Sequence, residues 1–180
     1  TAYFVANFDA NAAVIDDPCI FKYTIPEKIW TGAVNTDVSA IDNWFPSGTP
    51  SATDNVLVPL SAPANIAGGM LQVKDLTNHG DINLSNGGMV VINGNFYNSG
   101  IVNNLASTSD PTYYPGVFAM VSSGSAKNLT FGNIGRINGP LPLSSNVNLH
   151  LTTSSYIEAL RVEGRDSVFI GPYQLTVTKF

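Results

Sequence analysis

Between Leu71 and Ile101, apolar and polar residues alternate in stretches too short for a helix: Asp81-Ile82-Asn83-Leu84, Met89-Val90-Val91-Ile92 and Asn95-Phe96-Tyr97. A spacing of two puts the apolar side chains of a strand on one face. Between these stretches stand Asn78-x-Gly80, Asn86-Gly87-Gly88, Asn93-Gly94 and Asn98-x-Gly100, six or seven residues from one Gly to the next. Asn and Gly accept positive φ, so each pair predicts a sharp turn. Three such strands with their turns make about twenty residues, the length of one solenoid coil. The pattern predicts an all-β chain winding through short strands in successive rungs.

The same alternation organises the rest of the chain. Residues 127–180 carry an inward series of Leu129/Phe131, Ile134/Ile137, Leu141/Leu143, Val147/Leu149/Leu151, Ile157, Leu160/Val162, Val168/Ile170 and Leu175/Val177. Residues 61–104 hold the first rungs. Residues 105–126 break the rhythm and read as a surface excursion, in which Tyr113-Tyr114 between Pro111 and Pro115 forms a possible ligand loop. Stacking on sugar rings and folding down onto the coil both fit that pair. Residues 29–60 hold both tryptophans, Trp30 and Trp44, beside Gly- and Pro-rich turns. Two large rings there suit a cap over the end of the core, where a solenoid otherwise exposes apolar surface and unpaired backbone. Residues 1–28 form a lead-in: Tyr3–Phe8 and Cys19–Ile25 read as strands around a turn at Asp16-Asp17-Pro18, either a hairpin or the end of a preceding domain.

Charged residues make up 12% of the 180, against about 25% in an average soluble protein. Asn, Ser, Thr and Gly fill the deficit, so the surface is polar but largely uncharged. Net charge is −5 and the eight Lys and Arg are scattered, which argues against a nucleic-acid partner. No apolar run reaches the ~18 residues of a membrane helix. The single cysteine, Cys19, rules out an internal disulfide framework and reads as a small buried hydrophobe. A chain beginning at Thr1 reads as a processed mature chain or a fragment.

Trp30-x-Gly32, Asn43-Trp44, Pro50 and Asp54-Asn55-Val56-x-Val58-Pro59 resemble the opening motif of β-solenoid modules in secreted and cell-surface proteins of Bacteroidota. Leu71–Asn78 and Gly88–Gly100 are similar to that family's repeated strand, Gly, strand, Asn-x-Gly phrase. Lys127–Phe131, Leu141–Leu149 and Gly171–Val177 are similar to its later rungs. The resemblance spans residues 29–178 and implies a right-handed parallel β-helix in a long surface protein, exported in many members by type IX secretion. It implies a structural cap built on Trp30, Gly32, Trp44, Pro50, Asp54 and Pro59. No sorting domain of that system follows Phe180, so the expectation is a fragment or a truncated member.

Chemistry is sparse. His79 and His150 lie 71 residues apart, and no nucleophile elbow, zinc-protease motif or phosphate loop accompanies them. Paired carboxylates for glycan cleavage would be Asp75 with Asp81 or Glu158 with Glu163. The neighbouring Arg161 and Arg165 favour a surface charge cluster for the latter. Calcium is the ion the sequence best suits, through turn aspartates Asp9, Asp16, Asp17, Asp37, Asp42, Asp54 and Asp110. Ordinary turn use of these residues is preferred, so no catalytic, cofactor or metal residue is assigned. The expectation is a non-enzymatic structural or adhesive module, a stiff scaffold at the cell surface or outside the cell. A polysaccharide or other surface ligand is a possible partner, and further domains or identical subunits are partners for an open C-terminal end. The rivals are a glycan-binding or glycan-degrading β-helix and a self-assembling filament subunit.

Overall fold

The computed structural model describes the chain except for residues 1, 7–18, 24–27, 36, 106–115, 122–125, 133–134, 145–146, 163–164 and 180, and describes residues 2–6 and 19–23 by backbone alone. It is 57% strand and 2% helix. Strands β1 (Ala2–Ala6) and β2 (Cys19–Tyr23) pair antiparallel, with Phe4 opposite Phe21. The strands that follow build a parallel β-solenoid of about five turns.

The solenoid has three walls. The first contains β3 (Lys28–Trp30), β5 (Asn55–Val58), β8 (Asp75–Asn78), β11 (Phe96–Asn98), β14 (Ala126–Phe131), β16 (Asn148–Leu151) and β18 (Ser167–Phe169), with β4 (Trp44–Phe45) antiparallel on the edge of β3. The second contains β6 (Ala64–Ala67), β9 (Asp81–Ser85), β12 (Ile101–Asn103), β15 (Arg136–Ser144), β17 (Ser155–Arg161) and β19 (Leu175–Lys179). The third contains β7 (Met70–Val73), β10 (Met89–Ile92), β13 (Val117–Val121) and the end of β15. The nine-residue β15 thus serves two walls, and its register shifts between Ile137 and Pro140, where Gly139 takes φ 134°.

Alternation in the sequence becomes alternation of inside and outside. In the first wall Val56, Leu76, Phe96, Leu129 and Leu151 stack in one inward row. In the second, Ala64, Ile82, Val102, Ile137 and Ile157 do the same. In the third, Leu71, Val90 and Phe118 align. All of these are buried in one continuous cluster, and each large aliphatic side chain among them contributes about 1.5–3 kcal/mol by leaving water.

Three sequence expectations change. Of the Asn-Gly series, only Asn86 (φ 47°) and Gly87 (φ 80°) take positive φ. Gly80 and Gly100 are glycine because successive rungs touch backbone to backbone there. A Cβ on Gly80 would lie 2.5 Å from the Pro59 carbonyl oxygen, and one on Gly100 would lie 2.7 Å from the Gly80 carbonyl carbon. The stretch 105–126 is not all excursion: β13 falls within it, pairs with β10 and β15, and buries Phe118 and Met120. Val162 and Ile170 do not face inward but are 48% and 40% exposed. Among the described residues no third-wall strand follows β17, so these positions have no inner face to join.

Candidate functional site

The first end of the solenoid is assembled by the loop between β3 and β4. Trp30 and Trp44 are both buried and meet edge to face, ring centres 5.0 Å apart at 69°. Each indole N–H has a partner: Trp30 Nε1 donates to the Pro63 carbonyl (3.3 Å) and Trp44 Nε1 to the Val38 carbonyl (2.9 Å). Gly32 takes φ 57°, and a Cβ there would press on the Trp30 indole at 3.3 Å. Asp54 closes its turn by accepting the Ser51 N–H at 2.7 Å, while its own carbonyl accepts from Lys74 of the next rung. Pro59 likewise supplies the carbonyl against which Gly80 packs. Pro50 is half-buried and Pro59 follows β5 directly.

Asn43 is the residue of this end that sequence reasoning left without a role. It is fully buried; its Oδ1 accepts the N–H groups of Val34 and Asn35, and its Nδ2 donates to Asn35 Oδ1 and the Asp37 carbonyl. One amide thereby holds the loop that carries Val38 onto Trp44. The only available signal was its place beside Trp44. Asp37 accepts from both the Oγ and the N–H of Ser39, and these bonds hold its carboxyl below the usual carboxylate range.

Asparagine does most of its work between rungs. On the outer face of the second wall, Asn83 Nδ2 donates to Asn65 (2.7 Å), Asn103 to Asn83 (2.7 Å) and Asn138 to Asn103 (2.9 Å). The result is an amide ladder across four consecutive strands. A second, buried pair runs from Asn78 Nδ2 to Asn98 Oδ1 at 2.8 Å. The preceding rung offers Val58 at that position, and Asn78 Oδ1 is without a partner among the described residues. Asn104, also buried, bonds both N–H and carbonyl of Gly116, clamping the two sides of the excursion together.

The histidines stand on the outer side of the first wall, each beside an exposed ring. His79 Nδ1 lies 2.6 Å from Ser99 Oγ, and its ring meets Tyr97 edge to face at 5.6 Å. His150 stacks on Phe169 at 4.5 Å and 22°. The two histidines belong to separate rungs and form no joint constellation.

The carboxylate pairs fare differently. Asp75 stands on the first wall, where its Oδ1 accepts the Asn95 N–H at 2.6 Å, and Asp81 stands on the second. Glu158, on the second wall, pairs with Lys179. Its suggested partner Glu163 lies outside the described residues, as do Tyr113, Tyr114, Asp9, Asp16, Asp17 and Asp110. Among the described residues no three His, Cys, Asp or Glu side chains come together as a metal site, and no helix is long and apolar enough to cross a membrane. No protein-family model, curated protein sequence or solved structure matches the chain.

Proposed function

We propose that the chain is a non-enzymatic structural or adhesive module of a secreted or cell-surface protein, a stiff scaffold that presents flat walls to its surroundings. The observation that carries this reading is the four-strand amide ladder on the second wall, laid over one continuous apolar core. Neighbouring rungs are tied inside by packing and outside by side-chain hydrogen bonds, so a rung that opens loses both. The scarcity of charge supports work outside the cell, where a polar uncharged face meets surface polymers. The likeness to Bacteroidota surface modules, with type IX export, belongs to this same proposal.

Incubation with a panel of plant and algal polysaccharides tests the non-enzymatic part: no new reducing ends are expected, and their release overturns it. Hydrogen exchange tests the stiffness: amides of all three walls exchange slowly together, whereas rapid exchange of the second wall contradicts a ladder-braced scaffold. The filament alternative is separated by size-exclusion chromatography at rising concentration. A growing assembly favours it over a monomeric scaffold.

A further inference from the structure

Among the described residues the exposed aromatic side chains are Phe45, Tyr97, Phe169 and Tyr173. Three of the four are on the outer side of the first wall. Phe45 is paired with Ile29 on the edge strand β4, Tyr97 is the outward residue of β11, and Phe169 aligns with His150. The histidines join them, so two double-ring platforms form, His79 with Tyr97 and His150 with Phe169. The chain order gives no reason for this convergence; the coil creates it.

From β11 to β18 the wall passes through β14 and β16. The platforms are thus three strand spacings apart along the axis, about 14 Å at the usual inter-strand distance, and Phe169 stands two residues along the strands from the Tyr97 row, since Tyr97 aligns with Thr130 and Phe169 with His150 and Asn128. Between them stand Thr130 and Thr152, whose hydroxyls bond each other, and Asn128, whose N–H is held by Asn95 Oδ1. Among the described residues Asp75 is the one charged residue at an outward strand position of this wall, and Asn95 already engages it. The strip therefore offers paired aromatic rings at intervals, with uncharged hydrogen-bonding groups between.

We infer that this outer face of the first wall binds an extended, uncharged polysaccharide lying obliquely across the strands, from Tyr97 towards Phe169. A sugar unit in an extended glycan is about as long as one strand spacing. One unit sits over each strand, and the units at Tyr97 and Phe169 pack on the ring faces that the histidines leave free. The C–H face of a pyranose carries slight positive charge and suits the negative face of an aromatic ring. The units between present hydroxyls to Thr130, Thr152 and Asn128. Among the described residues an anionic polymer finds no row of cations at the outward positions, Lys127 of β14 sharing the register of inward Leu149, and an apolar partner finds too few adjoining apolar side chains. The ring positions are set before binding: the Ser99 hydroxyl fixes His79 against Tyr97, and Phe169 is stacked on His150, which lowers the ordering cost. The inference rests on the adhesive reading above and gives it a ligand class and a face.

The test is affinity measurement, by affinity electrophoresis and calorimetry, with soluble xylan, mixed-linkage β-glucan, laminarin and alginate. The intact chain is compared with Tyr97→Ala, Phe169→Ala, Tyr97→Trp and, as a control on another wall, Asn83→Ala. Circular dichroism confirms that each variant is folded. At least one neutral polymer binds, alginate does not, and each alanine at a platform weakens binding by about tenfold. Tyr97→Trp preserves binding, and Asn83→Ala leaves it unchanged. Absence of binding to all three neutral polymers overturns the inference, as does a preference for alginate. Binding that is indifferent to both platform substitutions also overturns it while leaving an adhesive module intact. Release of reducing ends would instead strike at the non-enzymatic reading.

Discussion

Replacing Gly100 by alanine isolates what the corner glycines do. The new Cβ would stand 2.7 Å from the carbonyl carbon and 3.0 Å from the nitrogen of Gly80, where ordinary contact begins at 3.4 Å. Every one of these atoms is backbone, so no side chain can swing away. The rungs must part instead, straining Ile101 N–H to Gly80 (3.1 Å) and Ser99 N–H to Asn78 (2.8 Å). Two weakened backbone bonds cost about 1 kcal/mol each and the overpacking about 1–3 kcal/mol more, so a loss of about 3–5 kcal/mol is expected. Gly87 is the internal contrast. Its φ is 80° and an added Cβ meets nothing within 4 Å, so Gly87→Ala carries only the left-handed backbone cost of about 1–2 kcal/mol. Urea titrations followed by far-ultraviolet circular dichroism compare the two variants with the parent chain. If Gly100→Ala proves no more damaging than Gly87→Ala, the close-approach explanation is wrong and turn conformation governs both sites.

Trp44→Ala removes a buried ring from the end of the core and should cost about 3–5 kcal/mol in the same titration, with Trp44→Phe falling well short of that. Asn83→Ala cuts two rungs of the amide ladder on a half-exposed face, so a loss near 1 kcal/mol is expected. A double-mutant cycle with Asn103→Ala should return a coupling of at least about 0.5 kcal/mol. Asp37 is held ionised by Ser39, so its folded-state pKa lies below the unfolded one. Its stabilisation of the β3–β4 loop is present at neutral pH and fades as pH falls through that lowered value. Amide signals of Ser39 followed by NMR during acid titration should show the loss, and Asp37→Asn should flatten it.

The regular part of the coil was legible because alternation is a local property. Each strand's inward set, from Val56 and Val58 to Leu149 and Leu151, is read directly from spacing by two. What failed depended on register between rungs. Asn78 and Asn98 stack 20 residues apart, but Asn128 meets Asn95 across 33 and Thr152 meets Thr130 across 22. A changing step hides which outward residues share a wall. The grouping of His79, Tyr97, His150 and Phe169 was therefore invisible, as was the ladder from Asn65 to Asn138. The corner glycines were recognised but given the wrong reason, since a sequence does not distinguish a residue that must turn from one that must leave room. Phe118 and Met120 were lost in the excursion because Thr-, Ser- and Pro-rich text masked the strand that follows it.

Rung register is the claim on which scaffold, ladder and binding strip all depend, and a pair of cysteines reads it directly. In a Cys19→Ser background, Asn83→Cys with Asn103→Cys places thiols on facing positions of β9 and β12. Parallel neighbours stand about 4.8 Å apart, within the 4.4–6.8 Å Cα range of a disulfide. Mild oxidation should close this pair within one chain and leave Asn83→Cys with Val102→Cys open, because Val102 points into the core. Failure of the first pair to close, or equal closure of both, would contradict a solenoid wound in this register.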